Sequence, residues 1–266
     1  YLTPAGDEAA AGGRVVKNVA GYDLMKLHTG AHGTLGVLTE LTFKVTPIPE
    51  AAAVVFFGLN PAALGPTLDR LHASESLPVA VQVFNRPAAD RAGLPAFAPW
   101  VLAVGFEEKE TTVKWQVQRV TGEFAAAPVV GLTAVMGRGP NPVLDRLCRS
   151  GDIAEVVLAG FARPSRLAAV VQVADADGAT VSAAGLTGAF TVGLPADSAD
   201  RVNRLLDRLR EVVGDGFVGV RFRPPGWADW QPALGPARPD FAVMRAVKRA
   251  LDPADVFNPG RLPFPT

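Results

Sequence analysis

Gly30-Ala31-His32-Gly33-Thr34-Leu35-Gly36-Val37 sets a glycine at every third position, and Val37, Thr39, Leu41, Phe43 and Val45 then alternate with Leu38, Glu40, Thr42 and Lys44. The alternation has the period of 2 of a strand with one buried face, so it predicts a strand over 37–45. Glycine tolerates positive φ and lets another surface reach the backbone with no Cβ in the way. A flat ligand would use such a surface, and a tight turn leading into a strand would need the same residues. A Rossmann fingerprint runs strand, glycine turn, helix, and seats pyrophosphate on the helix N-terminus. Here the order is short helix (22–28), glycine turn, strand. It offers no helix dipole to a phosphate, and the Rossmann reading fails.

Upstream lies Gly13-Arg14-Val15-Val16-Lys17-Asn18-Val19-Ala20-Gly21-Tyr22-Asp23. Lys17 to Asp23, followed by Gly30-x-x-Gly33-Thr34-Leu35-Gly36-Val37, resembles the FAD-linked oxidases of the vanillyl-alcohol oxidase type. The Lys-Asn-x-Ala-Gly-Tyr-Asp form is most similar to the FAD-binding subunits of glycolate oxidases. At the other end, Leu251-Asp252-Pro253-Ala254-Asp255-Val256-Phe257-Asn258-Pro259-Gly260-Arg261-Leu262 is similar to the terminal motif of the same family. Two motifs in the right order near opposite ends make the signal specific; the middle of the chain carries it only weakly. One departure stands in the turn, where the family reads Gly-Ser-x-Gly-Thr-Leu-Gly. Ala31 replaces the serine and removes one hydroxyl, and His32 fills the variable place.

The resemblance implies an α+β protein with FAD as cofactor. Residues 1–50 would be the C-terminal part of a PCMH-type FAD-binding domain, 51–239 a cap domain on the substrate side, and 240–266 a helix and tail returning to the FAD domain. Lys17, Asn18, Gly21, Tyr22, Gly33, Thr34, Gly36, Val37 and Asn258 would bind the cofactor. Asn258 would approach the flavin ring, where an amide can donate and accept at once. The implied partners are a catalytic flavoprotein subunit and an iron–sulfur subunit, and the implied substrate is a small 2-hydroxy acid such as glycolate or lactate. In the family an earlier subdomain holds the flavin pyrophosphate. Nothing before the glycine motif reads as that subdomain, and the chain starts at Tyr1 without a methionine, so it is expected to be the C-terminal part of a longer protein.

Between the two motifs the elements follow from periodicity. Pro47 and Pro49 cannot donate to a ladder and read as a linker. Strands are predicted at 54–59, 79–84, 101–106 and 129–135, with a helix from Asn60-Pro61 through Leu64, Leu68 and Leu71 and another over 111–120. A connecting helix at 141–149 leads to strands at 156–161, 180–184, 189–194 and 217–222, with helices at 164–173 and 199–213. Val202, Leu205, Leu206 and Leu209 form one stripe of the last of these, with arginines on its other face. The order β-α-β-β-α-β therefore occurs twice, as in ferredoxin-like folds, and predicts an antiparallel sheet with helices on a single face. The Pro-, Gly- and Trp-rich stretch 224–239 reads as a loop. Its Trp227 and Trp230 would pin it to the body, or wall a flavin or substrate cleft. A last helix carries Phe241, Met244, Val247 and Leu251, with Arg245, Lys248 and Arg249 toward the end favoured by its dipole. Asp252-Pro253 stops it.

The chain has 266 residues, of which 48% are hydrophobic and 20% charged, and 26 acidic residues balance 26 basic ones. That composition is ordinary for a globular protein of one large or two modest domains, and zero net charge argues against a nucleic-acid surface. Cys148 is alone, so no internal disulfide forms, which fits a reducing compartment. No apolar run approaches the roughly 18 residues of a membrane span. A cytoplasmic protein is expected, peripheral to the inner membrane only through partners. The three histidines, His28, His32 and His72, show no ligand spacing, so no metal site is predicted. His72 reads as a surface residue, His28 as a helix-end packing residue, and Cys148 as core. No Gly-x-Ser-x-Gly elbow is present, and no catalytic residue is assigned.

Family members that oxidise D-2-hydroxy acids carry a histidine cluster in the cap domain. Residues 51–239 hold His72 alone. The resemblance therefore points to the accompanying FAD-binding subunit of a glycolate oxidase complex. A stand-alone FAD-dependent oxidase or dehydrogenase of another alcohol, and a scaffold subunit that has lost flavin, stay open.

Overall fold

The computed structural model describes residues 1–15, 17, 21–125, 129–139, 141–149, 154–227 and 238–262. In chain order its elements are α1 (Met25–His28), β1 (Ala51–Leu59), α2 (Leu64–His72), β2 (Ala80–Asn85), α3 (Arg86–Arg91), β3 (Trp100–Glu108), α4 (Glu110–Phe124), β4 (Val129–Arg138), α5 (Pro142–Arg149), β5 (Val156–Phe161), α6 (Leu167–Ala176), β6 (Thr180–Ala184), β7 (Ala189–Leu194), α7 (Ala199–Val213), β8 (Phe217–Phe222) and α8 (Asp240–Leu251). The chain divides into two compact units, Ile48–Ala233 and Tyr1–Pro47 with Leu234–Thr266.

The larger unit is one eight-stranded sheet in the order β4-β1-β3-β2-β6-β7-β5-β8. Every neighbouring pair is antiparallel. The order resolves into two ferredoxin-like halves, 4-1-3-2 and 2-3-1-4, laid head to head. Strand 2 would be the open edge of either half alone. Here β2 and β6 cover each other, with Val83 opposite Ala183, so neither edge is left as a template for aggregation.

Helices lie on both faces of the first half, where a single face was expected. The sequence explains the difference. In β1 and β3 both parities are apolar, so both faces must be covered. Val55, Phe57 and Leu59 face α2 and α4 within the larger core, which runs on beneath α6 and α7. Ala52, Val54 and Phe56 face the other way, into a second core closed by Ala88 and Ala89 of α3 and Leu144 and Leu147 of α5. In the second half, Val181, Phe190, Val192 and Leu194 point into the main core, while Thr180, Ser182 and Thr191 between them are only partly buried. That half follows the one-sided pattern.

Local chemistry sets several helix starts. Ser198 accepts from the Arg201 amide at 3.3 Å and caps α7. Asn141 accepts from Val143 at 2.9 Å and opens α5. Asn60, expected as an N-cap, makes no such bond; Pro61–Ala63 form a 3₁₀ turn and α2 starts at Leu64. The short α3 was not expected, although Asn85 with Pro87 in the first turn is its start signal. Asn85 does more than cap. It is fully buried, its Nδ2 donates to Asp175 Oδ1 and to the Ala179 carbonyl, both at 2.7 Å, and its Oδ1 accepts from Val181 at 2.9 Å. The other Asp175 oxygen accepts from the Trp100 indole at 3.0 Å. This satisfied network stitches the two halves at their seam. Trp227 packs against the main core, as an anchoring indole should; Trp230 lies outside the described residues.

The smaller unit has little regular structure. The helix expected over 22–28 is one turn at Met25–His28 with no buried residue. The strand expected over 37–45 does not form. Val37 makes an isolated bridge to Leu2, and beyond it the chain carries no ladder, with Phe43 75% and Val45 84% exposed. Alternation predicts a strand only where a neighbour supplies the ladder, and among the described residues none does.

Candidate functional site

The glycine turn is built by short-range bonds. The Ala31 carbonyl accepts from the Thr34 amide at 3.0 Å and from the Thr34 hydroxyl at 2.7 Å. His32 and Gly33 are both left-handed, at φ 53° and 69°, which costs a non-glycine residue strain. Thr34 is buried; its hydroxyl closes the turn. Gly36 lies against the chain itself, since a Cβ there would meet the Leu2 carbonyl at 2.8 Å. Val37 is half exposed beside it.

The tail after α8 folds back against this turn. Asp252 accepts from the amides of Val256 at 3.0 Å and Phe257 at 2.8 Å, and Asp255 and Asn258 are left-handed at φ 48° and 41°. The Asn258 side chain donates from Nδ2 to the His32 carbonyl at 2.8 Å. A Cβ on Gly33 would meet that Nδ2 at 2.7 Å. The glycine therefore makes room for the asparagine amide of this chain. His32, Asn258, Pro259, Gly260 and Arg261 line an open cleft of about 520 Å³.

Lys248, between turn and tail, is 2% exposed. Its ammonium donates to the Thr34 carbonyl at 3.0 Å, to the Phe257 carbonyl at 2.9 Å and to Asp252, and it pairs with Asp255 at 3.0 Å. Burial alone would lower its pKa, but the bonds to Asp252 and Asp255 outweigh burial and raise it above the usual lysine value. Burial likewise favours the neutral form of Asp252, yet Lys248 and the two backbone amides hold its pKa below the usual carboxylate value. Sequence reasoning assigned Lys248 to the helix dipole and missed this cluster. The available signal was Lys248 four residues before Asp252, on one face of a helix ending in a turn.

Of the residues expected at a cofactor site, the structure joins Gly33, Thr34, Gly36 and Val37 of the turn, and sets Asn258 of the tail against Gly33. Of all these residues only Asn258 lines the cleft; Gly33, Thr34, Gly36 and Val37 stand beside it without lining it, and Lys17, Gly21 and Tyr22 are exposed elsewhere, Tyr22 at 91%. Asn18 lies outside the described residues. Among those residues no cluster of His, Cys, Asp or Glu suits a metal, and no helix is long and apolar enough to cross a membrane.

Residues 237–262 match the family described as FAD linked oxidases, C-terminal domain. Glycolate oxidase subunit GlcE of Escherichia coli (strain K12) is 55% identical over 51 residues, 19% of this chain and 15% of that protein. Glycolate oxidase subunit GlcD of Bacillus subtilis (strain 168) is 30% identical over 122 residues, 43% of this chain and 26% of that protein. Among solved structures, an alkyldihydroxyacetonephosphate synthase aligns over 98% of this chain and 53% of its own, with a TM-score of 0.58 at 17% identity. p-Cresol methylhydroxylase aligns over 82% of this chain and 53% of its own, with a TM-score of 0.52 at 15% identity. These structural likenesses speak for the fold. The matched segments span under a third of the two glycolate oxidase subunits, and the chain spans about half of the solved structures. The chain is thus similar to FAD linked oxidases in its terminal segment and to two glycolate oxidase subunits over limited stretches, and it shares its fold with the solved structures.

Proposed function

We propose that the chain belongs to the FAD-binding subunit of a glycolate (2-hydroxy acid) oxidase or dehydrogenase complex. Residues 1–47 and the tail from 240 contribute the flavin-facing end of the FAD domain, and the eight-stranded sheet serves as the cap. The observation that carries this reading is the meeting of the glycine turn and the Asn258 tail in one cleft. The cleft fits part of a flavin: its volume is in the range of small-molecule sites, about 300–1,000 Å³, and its polar groups suit a flat ring edged with carbonyls. Asn258 would orient the ring through its amide, whose Nδ2 is already fixed on His32. Arg261 would set a positive charge beside the ring. When bound, FAD supplies the redox chemistry, taking the electron pair lost as CH–OH becomes C=O, while the protein positions and tunes it. Lys17, Asn18, Gly21 and Tyr22 remain proposed contacts on the strength of the motif alone. The relatives are named as subunits, which supports partnership with a catalytic flavoprotein subunit; an iron–sulfur subunit is the further partner proposed.

FAD titration tests this, with flavin fluorescence and dye reduction by glycolate as readouts. The intact protein, purified with its partner subunits, is expected to retain flavin. The 266-residue chain alone is expected to bind FAD more weakly than micromolar and to turn over neither glycolate nor lactate, because a long flexible dinucleotide is costly to order on one cleft. A colourless intact protein would favour the scaffold reading. Turnover by the chain alone would favour a stand-alone oxidase.

A further inference from the structure

Lys248 is a fully charged side chain where a buried leucine would pack at less cost, since a buried ion pair seldom stabilises a fold relative to apolar residues of similar volume. Its four oxygen partners show a pattern. Two are carboxylates of its own C-terminal turn, Asp252 and Asp255. The other two are main-chain carbonyls next in sequence to lining residues of the cleft: Thr34, two residues after His32, and Phe257, the residue before Asn258. Asp252 repeats the grip from the other side, accepting from the amides of Val256 and Phe257. Turn and tail also carry left-handed non-glycine residues, His32 in the turn and Asp255 and Asn258 in the tail. Such conformations persist only where the surroundings over-determine them.

We propose that Lys248 is a positioning residue for Asn258: by tying the Thr34 carbonyl of the glycine turn to the Phe257 carbonyl of the tail, it fixes where the Asn258 amide stands at the mouth of the cleft. The flavin consequence rests on the reading given under Proposed function; the geometric claim does not. Lysine suits the task because an ammonium is a compact donor that can point to oxygens in several directions, whereas the flat fork of arginine suits a single carboxylate. Methionine, of similar length, would fill the volume and drop every bond.

The test compares the intact protein with Lys248→Met and with Lys248→Met/Asp252→Asn, which also discharges the carboxylate that the first change leaves stranded. The Asn258 side-chain amide is followed by NMR in the cofactor-free state, and FAD affinity is measured separately. Both variants are expected to keep the sheet resonances of 51–222 and to lose the Asn258 signature, with its amide exchange at least tenfold faster. FAD affinity is expected to fall at least tenfold. Amide exchange and FAD affinity within twofold of wild type would overturn the proposal. So would unfolding of the 1–47 and 234–266 unit in both variants, which would make Lys248 structural only. Failure of the wild type to bind FAD would count against the flavin reading, while the amide comparison would still decide the positioning claim.

Discussion

The sheet unit and the cleft unit are held together by different chemistry. In the sheet, β1 and β3 are buried along nearly their whole length between two apolar cores. Burial of that kind is non-directional and tolerates small shifts in side-chain placement. In the cleft unit, the turn and tail meet through one lysine, two carboxylates and a few main-chain carbonyls. Those bonds have fixed geometry, and losing one partner strands the others. The first chemistry makes a robust platform; the second fixes a few atoms in place.

At one place the sheet also relies on polar chemistry. Asn85→Leu would leave Asp175 and the main-chain groups of Ala179, Val181 and Ala88 without their partner. It is expected to cost about 4 kcal/mol of sheet stability, read as a lower urea midpoint. A loss under about 1 kcal/mol would show that the halves are joined by apolar contacts alone.

A smaller effect separates the units by pH. The raised Lys248 pKa means its contribution is fully present below the unfolded value of 10.5 and is lost as pH rises through the higher folded value. The depressed Asp252 pKa means its contribution is present above the unfolded value of 3.8 and is lost as pH falls through the lower folded value. Calorimetry across this range should show the cleft unit melting earlier at both the acid and alkaline ends, while the sheet transition holds. Parallel shifts in both transitions would contradict the contrast. The smallest expected effect is Ser198→Ala, which removes the α7 cap and should cost the sheet about 1 kcal/mol while leaving the cleft unchanged. A change in Asn258 side-chain exchange in that variant would show that the two units are not independent.

The same contrast explains what the sequence discloses. The boundaries of β5, β6, β7, α7 and β8 follow directly from period-2 and period-3.6 patterns, because their side chains pack against neighbours that the chain itself provides. The second core was equally visible in the doubly apolar β1 and β3, once both parities are read. The alternation over 37–45 is as clean, yet it makes no ladder, because a pattern records a face to be buried and not the partner that buries it. Of the cleft's lining, Asn258 was legible through its motif, and Gly33 beside it through the glycine turn. Lys248 was not: its partners are 4, 7, 9 and 214 residues away, and two are carbonyls that belong to no residue type. Gly36 was legible as a glycine, but that its neighbour would be Leu2 was not.

The proposed flavin-facing site joins the glycine turn and the Asn258 tail. The most direct measurement is the flavin content of the purified intact protein carrying Gly33→Val or Asn258→Ala, compared with wild type, with sheet stability followed in parallel. Gly33→Val drives a Cβ into the Asn258 amide at a left-handed position, and Asn258→Ala removes that amide. Both variants should lose most of their flavin while the urea midpoint of the sheet stays unchanged. A full flavin complement in both would contradict the account and leave the turn and tail as packing alone.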